Sequence, residues 1–362
     1  MSSPISTRSL GRATLARQHL LEPARMSALE MIEHLVGLQS QEPLSAYGGL
    51  WTRLVDFRPS ELSDLIESRQ VVRILAMRGT VHLLSAADCL GLRPLMQPVL
   101  DRIYRQTRVR RAIGDLDGLT RRAQDLLRAG PIAATDLSRA LLAHYPDADL
   151  EVVGMATRGS LALVQVPPRA LWGRSGRTTY VPAADWLGKP LQAADIRDVI
   201  RRYLAAYGPA TVADVQAWCK LTKLREITDT MPGLLRLKGE NGADLLDLPD
   251  APRPAQDVIA PVRMLPDFDN VLLSHADRSR FMSPDDQRRL STRIVVVPSI
   301  FLVDGTVGGW WHLDRKRHLV TVTPFRRFSA RQRQQVLEEA VRAGNLYLEH
   351  TRLDVREADL ST

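Results

Sequence analysis

A chain of 362 residues that is 44% hydrophobic can bury a sizeable core without covalent staples and has room for about two to three domains. Its two cysteines, Cys89 and Cys219, fit no metal-ligand or redox spacing and suit a reducing compartment. Against 41 acidic residues stand 49 basic ones, a net charge of +8; only five are lysine and 44 are arginine. Guanidinium groups pair with phosphate and stack on bases, so that surplus suits a polyanion as partner, although a biased genomic base composition would also enrich arginine.

The segment from Met1 to Leu21 carries arginines among short apolar runs and lacks the apolar core, roughly 7–15 residues, of a secretion signal. Neither export nor membrane insertion is expected, and the chain reads as cytoplasmic. Next, Leu29, Ile32, Leu35, Val36 and Leu38 recur at helical spacing, predicting a helix that packs on a core until Gln39. Gly37-Leu38-Gln39-Ser40-Gln41-Glu42-Pro43 closes it, placing two neutral amides ahead of a helix-stopping proline. On a continuing helix Gln39 and Gln41 would diverge, whereas in an unwound last turn both could face one cleft. By themselves these residues read as a polar helix end. Arg78 and His82 fall on a predicted strand and read as structural, the arginine bracing a carboxylate.

A repeat follows. Leu127-Arg128-Ala129-Gly130-Pro131, then Asp136-Leu137, returns as Ala205-Ala206-Tyr207-Gly208-Pro209, then Asp214-Val215. In each copy an amphipathic helix (Leu119 to Arg128; Ile196 to Ala206) ends at Gly-Pro and a short extended step leads to another helix (Asp136 to His144; Asp214 to Cys219). A second echo matches Met77–Leu83 to Thr157–Leu163, each read as a short strand after a helix. Two β-hairpins are predicted: one across Leu163–Val166 and Thr178–Val181 around the turn Gly173–Arg177, the other across Leu234–Leu237 and Asp244–Leu248 around Asn241-Gly242. Helix, helix-turn-helix and hairpin in that order predict winged helices.

The Pro-rich stretch Pro249–Pro254 changes the composition, and β-branched runs at Ile294–Val297, Ile300–Val303 and Leu319–Val322 predict a mainly β C-terminal part. Asp304-Gly305 and Asp314–Arg317 read as hairpin turns, and a final amphipathic helix covers Ala330 to Ala343. The predicted architecture is thus α+β: three tandem winged-helix units (1–115, 116–189, and 190–254 with its linker), which once stacked could line one concave face, and a β-rich, barrel-like domain (255–362).

Candidate phosphate contacts are Arg174, Arg177, Arg236 and Lys238, in or beside the wings, and Arg278 and Arg280. Arg315, Lys316 and Arg317 form a basic turn next to Trp310, Trp311 and His312 that could probe a groove, although tandem tryptophans in a strand more often pack as core and rim. Leu265-Pro266-Asp267-Phe268-Asp269-Asn270 reads as turn and capping chemistry in preference to acid–base catalysis. No nucleotide-binding glycine loop, metal-ligand spacing or Ser/Cys nucleophile signature is present, so no cofactor or metal is expected.

Gly37–Pro43, Arg78-Gly79-Thr80-Val81-His82-Leu83, Gly208-Pro209-Ala210-Thr211, Leu265–Asn270 and Val303-Asp304-Gly305, in that order, resemble the AlkZ/YcaQ-type winged-helix DNA glycosylases across nearly the whole chain. The resemblance implies that the three winged helices and the β-rich domain together form a basic concave DNA-binding surface and that Gln39 and Gln41 supply the catalytic groups; the Gln-x-Gln form is similar to the AlkZ branch, associated with self-resistance to azinomycin B. It implies a monofunctional glycosylase that acts on double-stranded DNA as a monomer and hydrolyses cationic N-alkylpurines, extending to interstrand crosslinks, without a cofactor. A β-eliminating lyase is disfavoured because the first lysine occurs only at position 189. The alternative is a non-enzymatic winged-helix DNA binder, a regulator or lesion sensor, which would tolerate alanine at both glutamines.

Overall fold

A computed structural model describes residues 3–291, 298–348 and 353–359. Within them the order helix, strand, helix, helix, strand, strand occurs three times. The first set is Ala28–His34, β1 (Leu38–Gln39), Ser45–Trp51, Pro59–Glu67, β2 (Val71–Leu75) and β3 (Val81–Ser85). The second is Leu116–Leu127, β4 (Ile132–Ala133), Ala134–Leu142, Leu150–Ser160, β5 (Leu163–Gln165) and β6 (Thr179–Pro182). The third is Ile196–Tyr207, an extended step at Ala210, Val212–Cys219, Leu224–Thr228, β7 (Leu235–Lys238) and β8 (Asp244–Asp247). In every set the first strand or step pairs antiparallel with the last: Leu38 with Leu83, Ile132 with Tyr180, Ala210 with Leu246. These are winged helices, and both predicted hairpins are their wings.

Local chemistry sets the helix starts. Ser27 with Glu30 and Thr211 with Asp214 form reciprocal capping boxes, and Asp115, Asp149 and Asp195 each accept a backbone N–H in the first turn. The first helix stops earlier than the apolar spacing predicts, at His34. Val36 and Gly37 adopt φ of 53° and 90°, and the chain turns sharply into β1. A Cβ on Gly37 would lie 2.3 Å from Leu84 Cδ2, so this turn needs glycine for conformation and for space. Gln39 therefore belongs to a strand and not to a helix end.

The first two wings merge. Strand β2 pairs antiparallel with β5, Arg73 opposite Gln165, which gives a six-stranded sheet of order β1-β3-β2-β5-β6-β4. The echo between Met77–Leu83 and Thr157–Leu163 has no structural counterpart: the first runs from a wing turn into β3, the second from the end of a helix into β5. The Gly130/Gly208 repeat does have one, at the junction of first helix and first strand.

The C-terminal part is a five-stranded sheet of order β13-β12-β11-β10-β9, built from β9 (Arg263–Leu265), β10 (Ile300–Val303), β11 (Thr306–Asp314), β12 (Leu319–Pro324) and β13 (Asp354–Glu357). The predicted run Ile294–Val297 lies outside the described residues. The final helix, Ala330–Leu348, is longer than predicted and packs Val336, Ala340 and Ala343 against Phe301, Val320 and Val322. The N-terminal helix Thr7–Arg17 ties the parts together, since Arg17 forms a fully buried bidentate pair with Asp247 at 2.7 and 3.0 Å and Arg12 pairs with Asp304. No helix among the described residues is long and apolar enough to cross a membrane.

Candidate functional site

Strand β1 is short, so its position depends on what surrounds it. The Ser40 N–H donates to Val81 O at 2.8 Å, and Arg73 donates to Ser40 Oγ and O at 3.1 and 2.7 Å. From the C-terminal part, Asn270 Nδ2 donates to Gly37 O at 2.7 Å and to Tyr207 Oη at 2.8 Å, while Tyr207 Oη donates to Leu35 O at 2.7 Å. Asp269, beside it, caps the helix Asn270–Leu273 and pairs bidentately with buried Arg53, both contacts at 2.8 Å. The Pro266–Asn270 segment is structural, as predicted, and what it positions is β1.

Ser40 turns inward, and residues two apart on an extended chain share a face. Gln39 is 6% exposed and sits opposite His82, whereas Gln41 is exposed and accepts a long 3.4 Å contact from the Val81 N–H. Both amides therefore lie along β3, Gln39 from the end of β1 and Gln41 from the bend that follows it, and not from an unwound helix.

Arg78 and His82 bear directly on Gln39. Arg78, at φ 58° in the turn between β2 and β3, donates through Nη2 to Gln39 Oε1 at 2.7 Å and through Nη1 to Trp218 O at 2.8 Å. The same Nη2 lies 3.2 Å from His82 Nε2, and His82 Nδ1 lies 3.0 Å from Thr80 O. A guanidinium only donates, so His82 accepts at Nε2 and carries its proton on Nδ1. Burial, then the Arg78 charge, pushes the imidazole down to about 3, and burial pushes Arg78 down to about 10. Arg78 braces an amide and not the carboxylate expected from sequence; the missed signal is the alternation that sets His82 opposite Gln39.

His82 and His275 are both buried and neutral, and His275 is likewise driven well below 6.5 by burial. An unfolded chain would protonate both below pH 6.5 while the folded state does not, so stability falls as pH drops through that value. Between pH 6.5 and 5 the loss should reach about 2 kcal/mol for each histidine. Urea unfolding at pH 7 and pH 5 checks this; equal midpoints would show that neither histidine is buried neutral.

Beside Glu42 opens a cleft of about 720 Å³ between the first unit, the Arg169–Gly176 loop and the C-terminal sheet. Arg174 and Arg315 line it, both exposed, with Arg315 stacked 5.1 Å over Tyr347. Lys316 and Arg317 stand exposed on the adjoining turn, their backbone N–H groups fixed by Asp314. Arg177, Arg236 and Lys238 are exposed and paired with Asp136, Asp229 and Asp244; such surface pairs are weak and exchange readily for phosphate. Arg278 is partly buried and near enough to Arg78 for its charge to oppose that of Arg78. Arg280 is a correction: it is buried, donating to Thr14 Oγ1 at 3.1 Å and Pro209 O at 2.9 Å, and cannot meet DNA. Trp310 and Trp311 are 9% and 7% exposed, Trp310 edge-on to Phe325 and Trp311 Nε1 donating to Leu265 O at 3.0 Å, so they pack as core.

A family model described as DNA glycosylase AlkZ-like matches residues 32–346. An interstrand DNA cross-link repair glycosylase of Streptomyces sahachiroi is 24% identical over 340 residues, which cover 86% of this chain and 88% of that protein. The solved structure of Streptomyces sahachiroi DNA glycosylase AlkZ has the same fold, with a TM-score of 0.76 at 21% identity over 98% of this chain and 100% of the other.

Proposed function

This chain belongs to the AlkZ-like DNA glycosylase family, and from that premise we propose that it is a monofunctional hydrolase of cationic N-alkylpurines in duplex DNA, with Gln39 and Gln41 at the reacting sugar. The observation that carries the reading is the pair of amides set two apart, Gln39 at the end of β1 and held from behind by Arg78, Gln41 just past that end and exposed. Alkylation at N7 of guanine or N3 of adenine makes the base a cationic leaving group that departs without protonation. The protein has then to place a water near C1′ and to present negative dipole to the oxocarbenium that develops, which a glutamine carbonyl can do. Glutamine is no general base near neutral pH, so neutral bases are poor substrates. The S. sahachiroi relative is named for cross-link repair; by extension the substrates here include interstrand crosslinks of the azinomycin type. The chain acts as a cytoplasmic monomer, with Arg174, Arg177, Arg236, Lys238, Arg278, Arg315, Lys316 and Arg317 contacting phosphate.

The test is a duplex carrying one N7-alkylguanine, incubated with protein and then treated with alkali. Scission that Gln39→Ala and Gln41→Ala abolish supports the glycosylase; tight binding without scission would favour a regulator or sensor.

Distance in sequence does not remove lysine from the neighbourhood. Lys220 lies two residues beyond Trp218, whose carbonyl Arg78 holds. A hydrolase should nonetheless leave an intact abasic site. Borohydride is expected to trap no protein–DNA adduct, and Lys220→Ala to leave the products unchanged; a trapped adduct lost in that variant would make the enzyme a lyase.

A further inference from the structure

We propose that Arg78 is a positioning residue for base release, acting through Gln39: it holds the amide in one orientation, and its removal matters only while Gln39 is present. The inference rests on the reading of Gln39 given above.

One guanidinium organises three groups. Through Nη2 it reaches both Gln39 Oε1, at 2.7 Å, and His82 Nε2, at 3.2 Å, and through Nη1 it donates to Trp218 O at 2.8 Å in the third winged-helix unit. Because arginine has only donors, the oxygen of Gln39 must face it, and the amide cannot flip without presenting N–H to N–H. His82 closes the arrangement from the other side, its own tautomer set by Thr80 O at 3.0 Å. A carbonyl oxygen has two lone pairs, so one stays bound to Arg78 and the other remains for a water or the sugar. No carboxylate among the described residues pairs with Arg78, although it sits in the left-handed region at φ 58°. A partly buried cation without a counter-charge, in an uncommon backbone conformation, is a poor choice for a simple tie between units. It suits the polarisation and immobilisation of an amide, and for a nucleophile as weak as water a fixed geometry matters most.

The experiment measures single-turnover release of 7-methylguanine from a duplex carrying one such base, followed over hours against spontaneous release. It compares the full-length wild type, Arg78→Met, Gln39→Ala and the double variant, with affinity for undamaged duplex across a salt series. Arg78→Met is expected to slow release at least ~10-fold, with affinity and its salt slope unchanged, and the double variant to be no slower than Gln39→Ala alone. An unchanged rate, an equal loss in both backgrounds, or affinity falling in step with rate would each overturn the proposal, the last by making Arg78 a phosphate contact. Should Arg78→Met fail to fold, Arg78→Lys takes its place, keeping the charge and one donor but not the fork, and is expected to slow release only when Gln39 is present. Gln39→Ala at the wild-type rate would instead remove the reading on which the proposal stands; a slow Gln39→Ala beside a normal Arg78→Met would remove the proposal alone.

Discussion

Gln39→Ala is expected to slow release of an N7-alkylguanine by about 10²–10³-fold, the loss typical when one preorganised polar group is taken from a charge-developing transition state. Duplex affinity should stay within about threefold. The side chain is uncharged and 6% exposed, so it adds little to a binding energy dominated by phosphate neutralisation. Folding should survive as well, because β1 is held by backbone pairing to β3 and by Asn270, neither of which involves the amide. Arg174→Ala makes the contrast: an exposed guanidinium on the cleft should contribute to the salt slope, reducing it by about one, without altering the rate at saturation. Rates for the two variants at saturating enzyme, with Kd at several salt concentrations, separate these effects. A Gln39→Ala enzyme that releases base normally would place the chemistry on other residues.

The two later wings, the hairpin turns and the helices that flank the two Gly-Pro steps are legible because each is encoded locally, by Gly-Pro at two helix ends, by Asn241-Gly242 and by Asp304-Gly305. The first unit was less legible. Its junction has Gly37-Leu38 where the others have Gly-Pro, so in sequence β1 looks like the end of a helix, and the register that puts Gln39 against His82 is a long-range pairing invisible in local spacing. Burial was equally hidden. Arg280 is two residues from Arg278 and has the same chemistry, yet Pro209 O and Thr14 Oγ1 take it into the interior. The merger of two wings into one sheet depends on β2 meeting β5, more than 80 residues apart, and no repeat announces it.

The same dependence on distant partners makes Asp269→Ala the substitution expected to destabilise most. The Arg53 and Asp269 side chains are at most 1% exposed and joined by two 2.8 Å hydrogen bonds, with Arg53 also donating to Gln18 Oε1 at 3.1 Å and Gly49 O at 2.9 Å. Removing the carboxylate leaves a buried guanidinium without its counter-charge, which costs about 3–5 kcal/mol, and it also removes the cap on Val271 N–H. Asp244→Ala, which breaks an exposed pair with Lys238, is the matched control and should leave the midpoint nearly unchanged. Urea midpoints of the two variants should differ accordingly. Replacing both buried partners, as Arg53→Met with Asp269→Leu, should recover much of the loss, because the cost of Asp269→Ala comes mainly from the stranded charge. Stability and function can still part company in that double variant. Asn270 follows Asp269 directly, donating to Gly37 O just before β1 and accepting from the Gln39 N–H within it, so any shift of this corner reaches Gln39 through two hydrogen bonds. A double variant with a restored midpoint and slower base release would locate the value of the ion pair in aiming β1; restored stability together with restored rate would make it a structural clamp whose charges a hydrophobic pair can replace.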